Sequence, residues 1–363
     1  MSTLKRTALF EAHLSSRARL VPFGGWELPI QFEGILAEAK AVRSSAGIFD
    51  VSHMGRFEIS GGDASMFLNK MVTADTYNMD IGRGRYTLIC NEMGGIIDDT
   101  IVYRLDHERF IVIPNAANTD AVLSWFSYWI NSEDFQVELK VNTNETSLIA
   151  LQGPLSQSIL QSMVDLDLST IKPFRCVENT INKIPATICR TGYTGEDGFE
   201  VICPNDKSDS IWLALQEKGA VPCGLGARDV LRLEAGLLLH GNDMDPTTTP
   251  IEAGLQRFIR WEKKDFIGMP ALQATKAAGT NQVLVGFRLL QKGIPRKDYA
   301  IQNDGTPIGI VTSGTYSPTL DMGIGLGYVS KDFSHIGTKI LIDIRGKPAS
   351  AEVVRIPFYT RKR

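Results

Sequence analysis

The part of the sequence that most constrains the fold is the stretch of residues 91–103, which reads NEMGGIIDDTIVY. Two glycines, Gly94 and Gly95, lie at the centre of a polar turn, and glycine adopts backbone conformations that are strained for other residues. Strand-like apolar runs lie on both sides of this turn, at 85–90 and at 100–103. The pattern therefore predicts a β-hairpin.

Two adjacent carboxylates, Asp98 and Asp99, begin the second strand of this hairpin. Neighbouring side chains of a strand point to opposite faces, so only one of the two can face a given pocket. A carboxylate at the mouth of a strand is well placed for proton chemistry on a ligand. The alternative, from these residues alone, is a solvated turn that carries two surface aspartates.

A second stretch, residues 190–200, reads RTGYTGEDGFE and has a glycine at every third position. Neither a helix nor a central strand tolerates that spacing well, so it predicts a glycine-rich loop between two strands. The loop presents Tyr193 and Glu196, and Glu200 falls within the second strand. A carboxylate that faces inward from a strand needs a partner, and a flat heterocycle with adjacent N–H groups would provide one.

Length and composition bear on the class of protein. A chain of 363 residues predicts two or three domains, and its net charge of −3 gives no support for a nucleic-acid-binding surface. The five cysteines show no zinc spacing, which predicts free thiols in a reducing compartment and no metal site. No apolar run approaches the ~20 residues that span a bilayer, and the N-terminal segment lacks the apolar core of a signal peptide. We therefore expect a cytoplasmic protein that binds neither nucleic acid nor membrane.

The order of the predicted elements indicates the fold class. Strands alternate with helices and are also joined by hairpins, which favours α+β layers over a doubly wound parallel sheet. Residues 48–60 predict one strand, and amphipathic helices flank it at about 34–45 and 63–72. The first helix is predicted to bury a stripe that includes Leu36, and the second is predicted to bury Met66.

From about residue 281 the pattern changes to short strands with frequent glycine, such as VLVGFRLL and PIGIVTSG. This pattern predicts a separate, smaller all-β domain of the barrel or sandwich type. Residues 265–280 are predicted to form the connection to it.

Three polar side chains outside these stretches leave alternatives open. Arg228 and Arg232 lie four residues apart on one face of a helix that is predicted to begin near Ala227. Two such arginines are usually paired within the protein, but they are also what an anionic ligand needs. His53 has no titratable residue at a suitable spacing, which favours structural hydrogen bonding over catalysis.

The glycines of GLGARD, at 224–229, resemble a dinucleotide fingerprint, but no βαβ unit surrounds them, so we reject that interpretation.

Six motifs occur in a fixed order along the chain. They are GGW at 24–26, FDVSHM at 49–54, GGIIDD at 94–99, TGYTGEDGFE at 191–200, GLGARD with LRLEAG at 224–236, and TSGTYSPTL at 312–320. Together they closely resemble the aminomethyltransferase (T-protein) family of the glycine cleavage system. The resemblance runs from about Thr7 almost to the C-terminus and leaves no room for a mitochondrial presequence, which agrees with the cytoplasmic expectation.

The resemblance implies an α+β fold of three lobes. Two interleaved, mixed α/β (ferredoxin-like) lobes would enclose a central tetrahydrofolate site within residues 1–275, with the chain exchanging between them near residues 50 and 140. Residues 280–363 would form a C-terminal β-barrel domain.

The implied reaction takes an aminomethyl group from the dihydrolipoyl arm of H-protein, the partner of the enzyme. Tetrahydrofolate, the co-substrate, receives the methylene as 5,10-methylenetetrahydrofolate, and ammonia leaves. The reaction requires no metal.

The resemblance also implies roles for particular residues. Asp99, and not Asp98, corresponds to the family's catalytic aspartate near N10 of the folate, and Asp98 is expected to be dispensable unless it holds the turn. The residues implied to bind folate are Glu200, Tyr193, Tyr86 and Met54 around the pterin, Arg228 at the glutamate tail, Asn115 within the site, and Arg361 as a further candidate for the tail. At His240 the chain departs from the tyrosine that is more common in the family.

The chemistry of folate agrees with these residue types. Pterin presents a pair of donors, N3–H and the 2-amino group, that a carboxylate can accept together. Its ring favours aromatic and thioether contacts, and the carboxylates of the tail suit arginine.

Two other folate-dependent families are alternatives. The folate-binding portion of sarcosine and dimethylglycine dehydrogenases works beside a flavin domain, which this sequence does not show. The folate-binding protein of iron–sulfur assembly is not a transferase and carries a reactive cysteine in a KGC-like motif. The corresponding place here reads TGYTGEDGFE and has no cysteine.

Overall fold

The computed structural model describes residues 4–361, so residues 1–3 and 362–363, at the ends of the predicted domains, lie outside it. The chain forms two compact units. The first unit comprises the residues up to Ile89 with Asp98–Gly192 and Glu196–Arg228. The second unit comprises Cys90–Ile97, Tyr193–Gly195 and the residues from Asp229 onward.

Helices and strands alternate along most of the chain. The helices are α1 (Phe10–Ser15), α2 (Ile35–Ser44), α3 (Ala64–Met71), α4 (Thr119–Ser132), α5 (Ser156–Gln161), α6 (Asn205–Glu217), α7 (Leu225–Glu234) and α8 (Met269–Ala278). The strands before Asp229 are β1 (Arg19–Phe23), β2 (Trp26–Gln31), β3 (Gly47–Asp50), β4 (Phe57–Ser60), β5 (Gly84–Cys90), β6 (Ile96–Asp106), β7 (Arg109–Val112), β8 (Glu138–Val141), β9 (Thr146–Gln152), β10 (Cys176–Ile181), β11 (Ile184–Cys189), β12 (Gly198–Pro204) and β13 (Val221–Pro222).

Two sheets build the first unit, together with the β1–β2 hairpin. The larger sheet has the order β10-β11-β12-β9-β3-β13, and β13 is the strand that pairs in parallel, with β3. The smaller sheet has the order β5-β6-β7-β4-β8. Because nearly all the pairings are antiparallel, the prediction of α+β layers over a doubly wound sheet is confirmed.

The predicted strand over residues 48–60 is wrong, because β3 and β4 belong to different sheets. The carboxylate of Asp50 accepts a hydrogen bond from the backbone N–H of Ser52 at 2.9 Å, which turns the chain directly after β3. The chain enters the smaller sheet at Phe57 and returns to the larger sheet at Thr146. The division of the chain into folding domains stays a prediction.

Helix α2 buries a carboxylate beside two residues of its predicted apolar stripe, Ala39 and Val42. Glu38 is 1% exposed and accepts hydrogen bonds from the backbone N–H groups of Phe32, Gly34 and Gly224 at 2.6, 3.0 and 2.8 Å. The buried face is therefore rotated toward Glu38, and the predicted burial of Leu36 is wrong, since that side chain is 44% exposed.

Helix α3 confirms the predicted segment but not all of its buried residues. Phe67 and Met71 are buried, whereas Met66 is 43% exposed. Successive residues of a helix are about 100° apart, so Met66 lies off the face that carries Phe67 and Met71, and its burial was predicted wrongly.

The second unit contains a closed barrel, as predicted for the C-terminal region. Its strands are β14 (Gln282–Leu289), β15 (Ala300–Asn303), β16 (Thr306–Ser317), β17 (Met322–Ser330), β18 (Lys339–Ile344) and β19 (Lys347–Val354). They close in the order β14-β17-β16-β15-β18-β19. The segment 265–280, predicted as a plain connection, contains helix α8.

The turn between β5 and β6 is tight, as its two glycines predict. Gly94 has φ of 82°, and a Cβ atom on Gly95 would lie 1.8 Å from the carbonyl oxygen of Pro246. Asn91 completes the turn, because its Oδ1 accepts hydrogen bonds from the N–H groups of Gly95 and Met93. Other residue types at position 95 would displace the turn.

Candidate functional site

Asp99 presents a fixed carboxylate on β6. Tyr86, on the neighbouring strand β5, donates its hydroxyl hydrogen to Asp99 Oδ2 at 2.9 Å. Asn115, which follows β7, donates from Nδ2 to Asp99 Oδ1 at 2.8 Å. Asp99 is half-buried, so its carboxylate is held from two sides. Three of the predicted site residues thus lie in direct contact.

Asp98 points to the opposite face of β6, into the interior. It is 0% exposed and accepts hydrogen bonds from the N–H of Asn115 at 2.8 Å, from Asn115 Nδ2 at 2.8 Å and from Asn118 Nδ2 at 2.6 Å. The alternative of two surface aspartates is therefore wrong. Burial, reinforced by the neighbouring charge of Asp99, raises the pKa of Asp98 to about 8.

Glu200 belongs to a short chain of hydrogen bonds that joins the two sheets of the first unit. Thr191 donates its hydroxyl hydrogen to Glu200 Oε2 at 2.5 Å, and the hydroxyls of Tyr103 and Thr191 lie 2.6 Å apart. A threonine hydroxyl carries one hydrogen, so Tyr103 is the donor to Thr191. Burial raises the pKa of Tyr103 well above its ordinary value, which keeps that hydrogen in place.

The chain of hydrogen bonds begins on the face of β6 that carries Asp99. Tyr103 lies four residues after Asp99, and residues an even number apart share one face of a strand. At about 3.3 Å per residue the two positions are ~13 Å apart along the strand. The carboxylate of Asp99 and the Tyr103–Thr191–Glu200 relay therefore belong to one side of the smaller sheet.

The buried side chain of Gln152 fills the space beside two glycines of the glycine-rich segment. Its side chain is buried and donates from Nε2 to the carbonyl oxygen of Thr191 at 3.0 Å. A Cβ atom on Gly192 would lie 1.8 Å from Gln152 Oε1, and one on Gly198 would lie 2.4 Å from its Nε2. The prediction that this segment links two strands is confirmed, since β11 and β12 flank it and pair with each other.

Met54 and Arg228 both lie close to His53 in the first unit. Met54 follows His53 in the chain and is half-buried. His53 is 3% exposed, and burial, with a further effect from the charge of Arg228, lowers its pKa to about 3. The imidazole is therefore neutral at physiological pH. Structural hydrogen bonding was predicted for His53, but its Nδ1 has no hydrogen-bond partner among residues 4–361.

The two arginines of α7 differ in their surroundings. Arg232 donates from Nη1 to Asp243 at 2.7 Å, from Nε to Asp229 at 2.9 Å and from Nη2 to Ser313 Oγ at 2.7 Å. Arg232 is 1% exposed, and its role is to pair charges inside the second unit. Asp229, which follows Arg228 directly in the chain, is thus bound to Arg232. Helix α7 begins at Leu225, two residues before the predicted start.

Three further residues singled out in the sequence belong to the second unit. Tyr193 donates its hydroxyl hydrogen to the carbonyl oxygen of Leu238. His240 Nε2 lies 2.9 Å from the carbonyl oxygen of Ile96, so Nε2 carries a hydrogen and donates it. Arg361 is half-buried and lies after the last barrel strand.

Four residues of the site were not predicted from the sequence in these roles, namely Asp98, Tyr103, Asn118 and Thr191. Strand alternation signals Tyr103, because it shares a face with Asp99. The contacts of the other three depend on segments that are distant in the sequence, so no local pattern reveals them.

The described residues contain neither a metal-binding cluster nor a membrane-spanning helix. Residues 4–361 contain no set of three or more His, Cys, Asp or Glu side chains that could hold a metal ion. None of the helices in that range is long and apolar enough to cross a membrane. The five cysteines are free and buried, as predicted.

Comparison with protein families gives matches that together span most of the chain. The family described as the GCVT N-terminal domain matches residues 9–263. The family described as the glycine cleavage T-protein C-terminal barrel domain matches residues 282–360.

Individual relatives agree with the family match. The aminomethyltransferase of Desulfitobacterium hafniense strain Y51 is 42% identical over 366 residues, which covers 100% of both chains. The aminomethyltransferase of Picosynechococcus is 44% identical, with 98% of each chain covered. The crystal structure of the glycine cleavage system aminomethyltransferase T from Bartonella henselae superposes with a TM-score of 0.93, at 34% identity and 98% coverage of each chain. The resemblance carried by the six motifs is confirmed, and the chain belongs to the aminomethyltransferase (T-protein) family of the glycine cleavage system.

Proposed function

We propose that the substrates are tetrahydrofolate and an aminomethyl group carried on the dihydrolipoyl arm of H-protein. The observation that carries this proposal is the half-buried carboxylate of Asp99, held by Tyr86 and Asn115. Positive charge develops while the methylene group passes to N5 and N10 of tetrahydrofolate, and a fixed carboxylate beside these nitrogens stabilises it. The transfer involves no oxidation. The five free buried thiols fit the cytoplasm as the proposed compartment.

The proposed reaction conserves all atoms without a redox partner. The bonds from the methylene carbon to the amine nitrogen and to the lipoyl sulfur break, and bonds to N5 and N10 of tetrahydrofolate form. The two hydrogens released by N5 and N10 leave with ammonia and with the lipoyl thiol. The products are 5,10-methylenetetrahydrofolate, ammonia and dihydrolipoyl H-protein.

Asp99 is the proposed catalytic residue. Positive charge develops on the methylene carbon and its nitrogens during transfer, and a nearby carboxylate stabilises it. The hydroxyl of Tyr86 and the amide of Asn115 hold the carboxylate in one orientation. A carboxylate fixed before the reaction does not have to reorganise when the charge appears.

Glu200 is the proposed partner of the pterin donors. Thr191 bonds to Oε2 of this carboxylate, and each carboxylate oxygen can accept more than one hydrogen bond. Pairing with N3–H and the 2-amino group can therefore use both oxygens of Glu200 while the hydrogen bonds of Tyr103 and Thr191 stay in place. Tyr103 and Thr191 hold the carboxylate toward the face of β6 that carries Asp99.

The remaining roles follow the resemblance. Arg228 is proposed to bind the carboxylates of the folate tail, with Arg361 as a further candidate. Met54 and Tyr193 are proposed to contact the pterin ring. The three-lobed organisation with exchanges near residues 50 and 140 is proposed as the domain structure.

The test of the function measures single-turnover formation of 5,10-methylenetetrahydrofolate from tetrahydrofolate and aminomethylated H-protein. The proposed transferase gives product at a rate that depends on both substrates. A protein that binds folate but gives no product with loaded H-protein would instead fit the non-transferase of iron–sulfur assembly.

Replacement of Glu200 by alanine is expected to weaken folate binding. The variant loses a charge-assisted contact worth roughly 1.5–3 kcal/mol, which corresponds to about ten- to a hundredfold in Kd. Titration of tetrahydrofolate by calorimetry measures the change. Glu178→Ala, which removes an exposed glutamate paired with Arg109, is the matched control and should bind normally. An unaltered Kd in folded Glu200→Ala would rule out the assignment.

Replacement of Arg228 by alanine is expected to weaken the binding of ligands that carry the glutamate tail more than the binding of ligands that lack it. Binding of tetrahydrofolate should weaken about ten- to a hundredfold, since a charge-assisted contact is lost, while binding of tetrahydropterin changes little. Arg109→Ala removes one partly exposed positive charge and serves as the control. Equal loss for both ligands, with a lower unfolding temperature, would show that Arg228 has a structural role instead.

A further inference from the structure

The hydroxyl of Tyr103 is held in place by the packing of its ring. Gly84, on the neighbouring strand β5, lies against this ring, since a Cβ atom on Gly84 would come within 2.6 Å of Tyr103 Cε1. Cys176 and Cys189, on two strands of the larger sheet, form a buried cluster with Tyr103. These two cysteines lie directly opposite each other on β10 and β11. The ring is therefore enclosed by both sheets, and its hydroxyl is fixed with it.

Glu200 lies beside this cluster on the larger sheet. It pairs with Cys189 across β11 and β12, and residues directly opposite one another share a face of a sheet. The hydroxyl of Thr191 connects the two groups, because it donates to Glu200 Oε2 at 2.5 Å and accepts from Tyr103 at 2.6 Å. Tyr103 and Thr191 are both buried, so water has little access to these hydrogen bonds.

Thr191 alone fixes the carboxylate of Glu200 within the described part of the chain. No other group in residues 4–361 donates a hydrogen bond to it. The hydroxyl of Thr191 takes one acceptor position of Oε2 and leaves the remaining positions on both oxygens. A carboxylate meets two parallel donors with both oxygens only when its plane lies along the two N–H bonds. The orientation that such a ligand needs therefore depends on where the Thr191 hydroxyl is held.

We propose that Tyr103 is a positioning residue for the pterin, which acts through the Thr191 hydroxyl to hold the Glu200 carboxylate in the plane of the two pterin donors. The inference rests on the proposed function, because it takes Glu200 as the partner of the pterin. Tyr103 acts on the binding of folate and not on the transfer itself, since the carboxylate of Asp99 has hydrogen bonds of its own.

Tyr103→Phe keeps the ring and removes the hydroxyl. Thr191 loses the donor that fixes its own hydroxyl, so the carboxylate of Glu200 can rotate. The Kd of tetrahydrofolate should rise about three- to tenfold, the loss expected for one neutral hydrogen bond. Tetrahydropterin carries the same two donors and should weaken by the same factor, in contrast to the effect expected for Arg228→Ala. The single-turnover rate at saturating tetrahydrofolate should stay within about twofold of the wild type.

A double-mutant cycle separates positioning from a general effect on the fold. In the Glu200→Ala background the carboxylate is absent, so Tyr103→Phe should change the Kd by less than about 1.5-fold. A merely structural role would instead weaken binding by the same factor in both backgrounds. Calorimetric titration of the four proteins with tetrahydrofolate measures the coupling.

Two substitutions of Thr191 keep the test decisive if Tyr103→Phe does not fold. Thr191→Val keeps the branched shape without the hydroxyl and should raise the Kd at least as much as Tyr103→Phe. Thr191→Ser keeps the hydroxyl and should bind within about twofold of the wild type. Leu105→Ala is the matched control. Leu105 packs against the same cluster, two residues beyond Tyr103 and away from Asp99, so its loss should lower the unfolding temperature and leave the Kd unchanged.

The outcomes separate this inference from the proposed function. If the wild type forms no methylenetetrahydrofolate from loaded H-protein, the function is overturned, and the cycle on folate binding still decides the role of Tyr103. If the wild type is active but Tyr103→Phe weakens binding equally with and without Glu200, the inference is overturned and the function stands. A Thr191→Val variant that binds tetrahydrofolate as tightly as the wild type would also overturn the inference.

Discussion

Asp99→Asn is expected to retain the fold and most of the folate affinity, and to lose about 10²–10⁴ in turnover, the usual range for one acid–base group. A neutral amide of the same shape stabilises developing positive charge poorly. It also places an NH2 group opposite either the Tyr86 hydroxyl or the Asn115 amide, both of which donate to the carboxylate of the wild type. The orientation of the side chain would therefore be lost together with its charge.

Single-turnover rates with aminomethylated H-protein measure this effect apart from substrate binding. Asp106→Asn is the matched control, because Asp106 lies on the same strand, is exposed, and accepts the N–H of His107 at 2.7 Å. Its rate should stay close to that of the wild type. If Asp99→Asn turned over normally while Asp98→Asn was inactive through loss of chemistry, the assignment along β6 would be one residue out of register.

The parts of the fold that the sequence predicted are those governed by local rules. The turn at Gly94 and Gly95, the loop between β11 and β12, and the barrel strands each depend on glycine placement and on strand periodicity. Alternation along β6 also placed Asp98 and Asp99 on opposite faces. These rules require no knowledge of which segments meet in space.

The errors came from contacts between distant segments. Residues 48–60 contain strand-forming residues at both ends, but the Asx turn at Asp50 and the buried side chain of Arg56 divide them between two sheets. Helix α2 rotates Leu36 outward because the carboxylate of Glu38 meets three backbone N–H groups, one of them from Gly224. Helical periodicity assigns Glu38 to the surface because it is charged, and it contains no information about the backbone N–H groups that the carboxylate contacts.

In the candidate site, too, local patterns predicted some of the residues, and contacts between distant segments determine the others. The sequence identified Asp99 and Glu200 through their motifs, but each is held by residues from another strand or loop. Tyr103 and Thr191 are hydrogen-bonded although they lie 88 positions apart in the sequence, and Asn118 and Asp98 are hydrogen-bonded although they lie 20 positions apart. Hydrogen bonds of this kind follow from the packing of the two sheets, which a single sequence does not display.

Arg56 is the residue whose loss is expected to destabilise the fold most. It is 2% exposed and lies where the chain passes from the larger to the smaller sheet. Its guanidinium donates to the carbonyl oxygens of Ser52 and Met54 on the outgoing segment. It also donates to the carbonyl oxygens of Thr143 and Thr146, and to Thr146 Oγ1, on the returning segment. All five N–H hydrogens of the guanidinium can thus be satisfied by the two crossing segments.

Arg56→Met is expected to lower the free energy of unfolding by about 4 kcal/mol or more, in the range reached by few single substitutions. Burial lowers the pKa of Arg56 to about 10, so holding the charge inside has a cost. An apolar side chain can replace a buried ion pair without loss when both partners are removed. Here the partners are mostly backbone carbonyls, which stay in place, and each unsatisfied group costs about 1–3 kcal/mol. The unmet carbonyls therefore outweigh the relief of desolvation.

Urea unfolding followed by tryptophan fluorescence measures this loss. Four of the five tryptophans, Trp26, Trp125, Trp129 and Trp212, belong to the first unit, so the signal reports mainly on the sheets that Arg56 joins. Arg109→Met, which breaks a partly exposed pair with Glu178, should cost within about 1 kcal/mol. Arg56→Lys should fall between the two, because an ammonium group has three hydrogens and cannot span both segments. A midpoint for Arg56→Met equal to that of Arg109→Met would mean that water or other donors satisfy the four carbonyls, and that the crossing does not depend on this side chain.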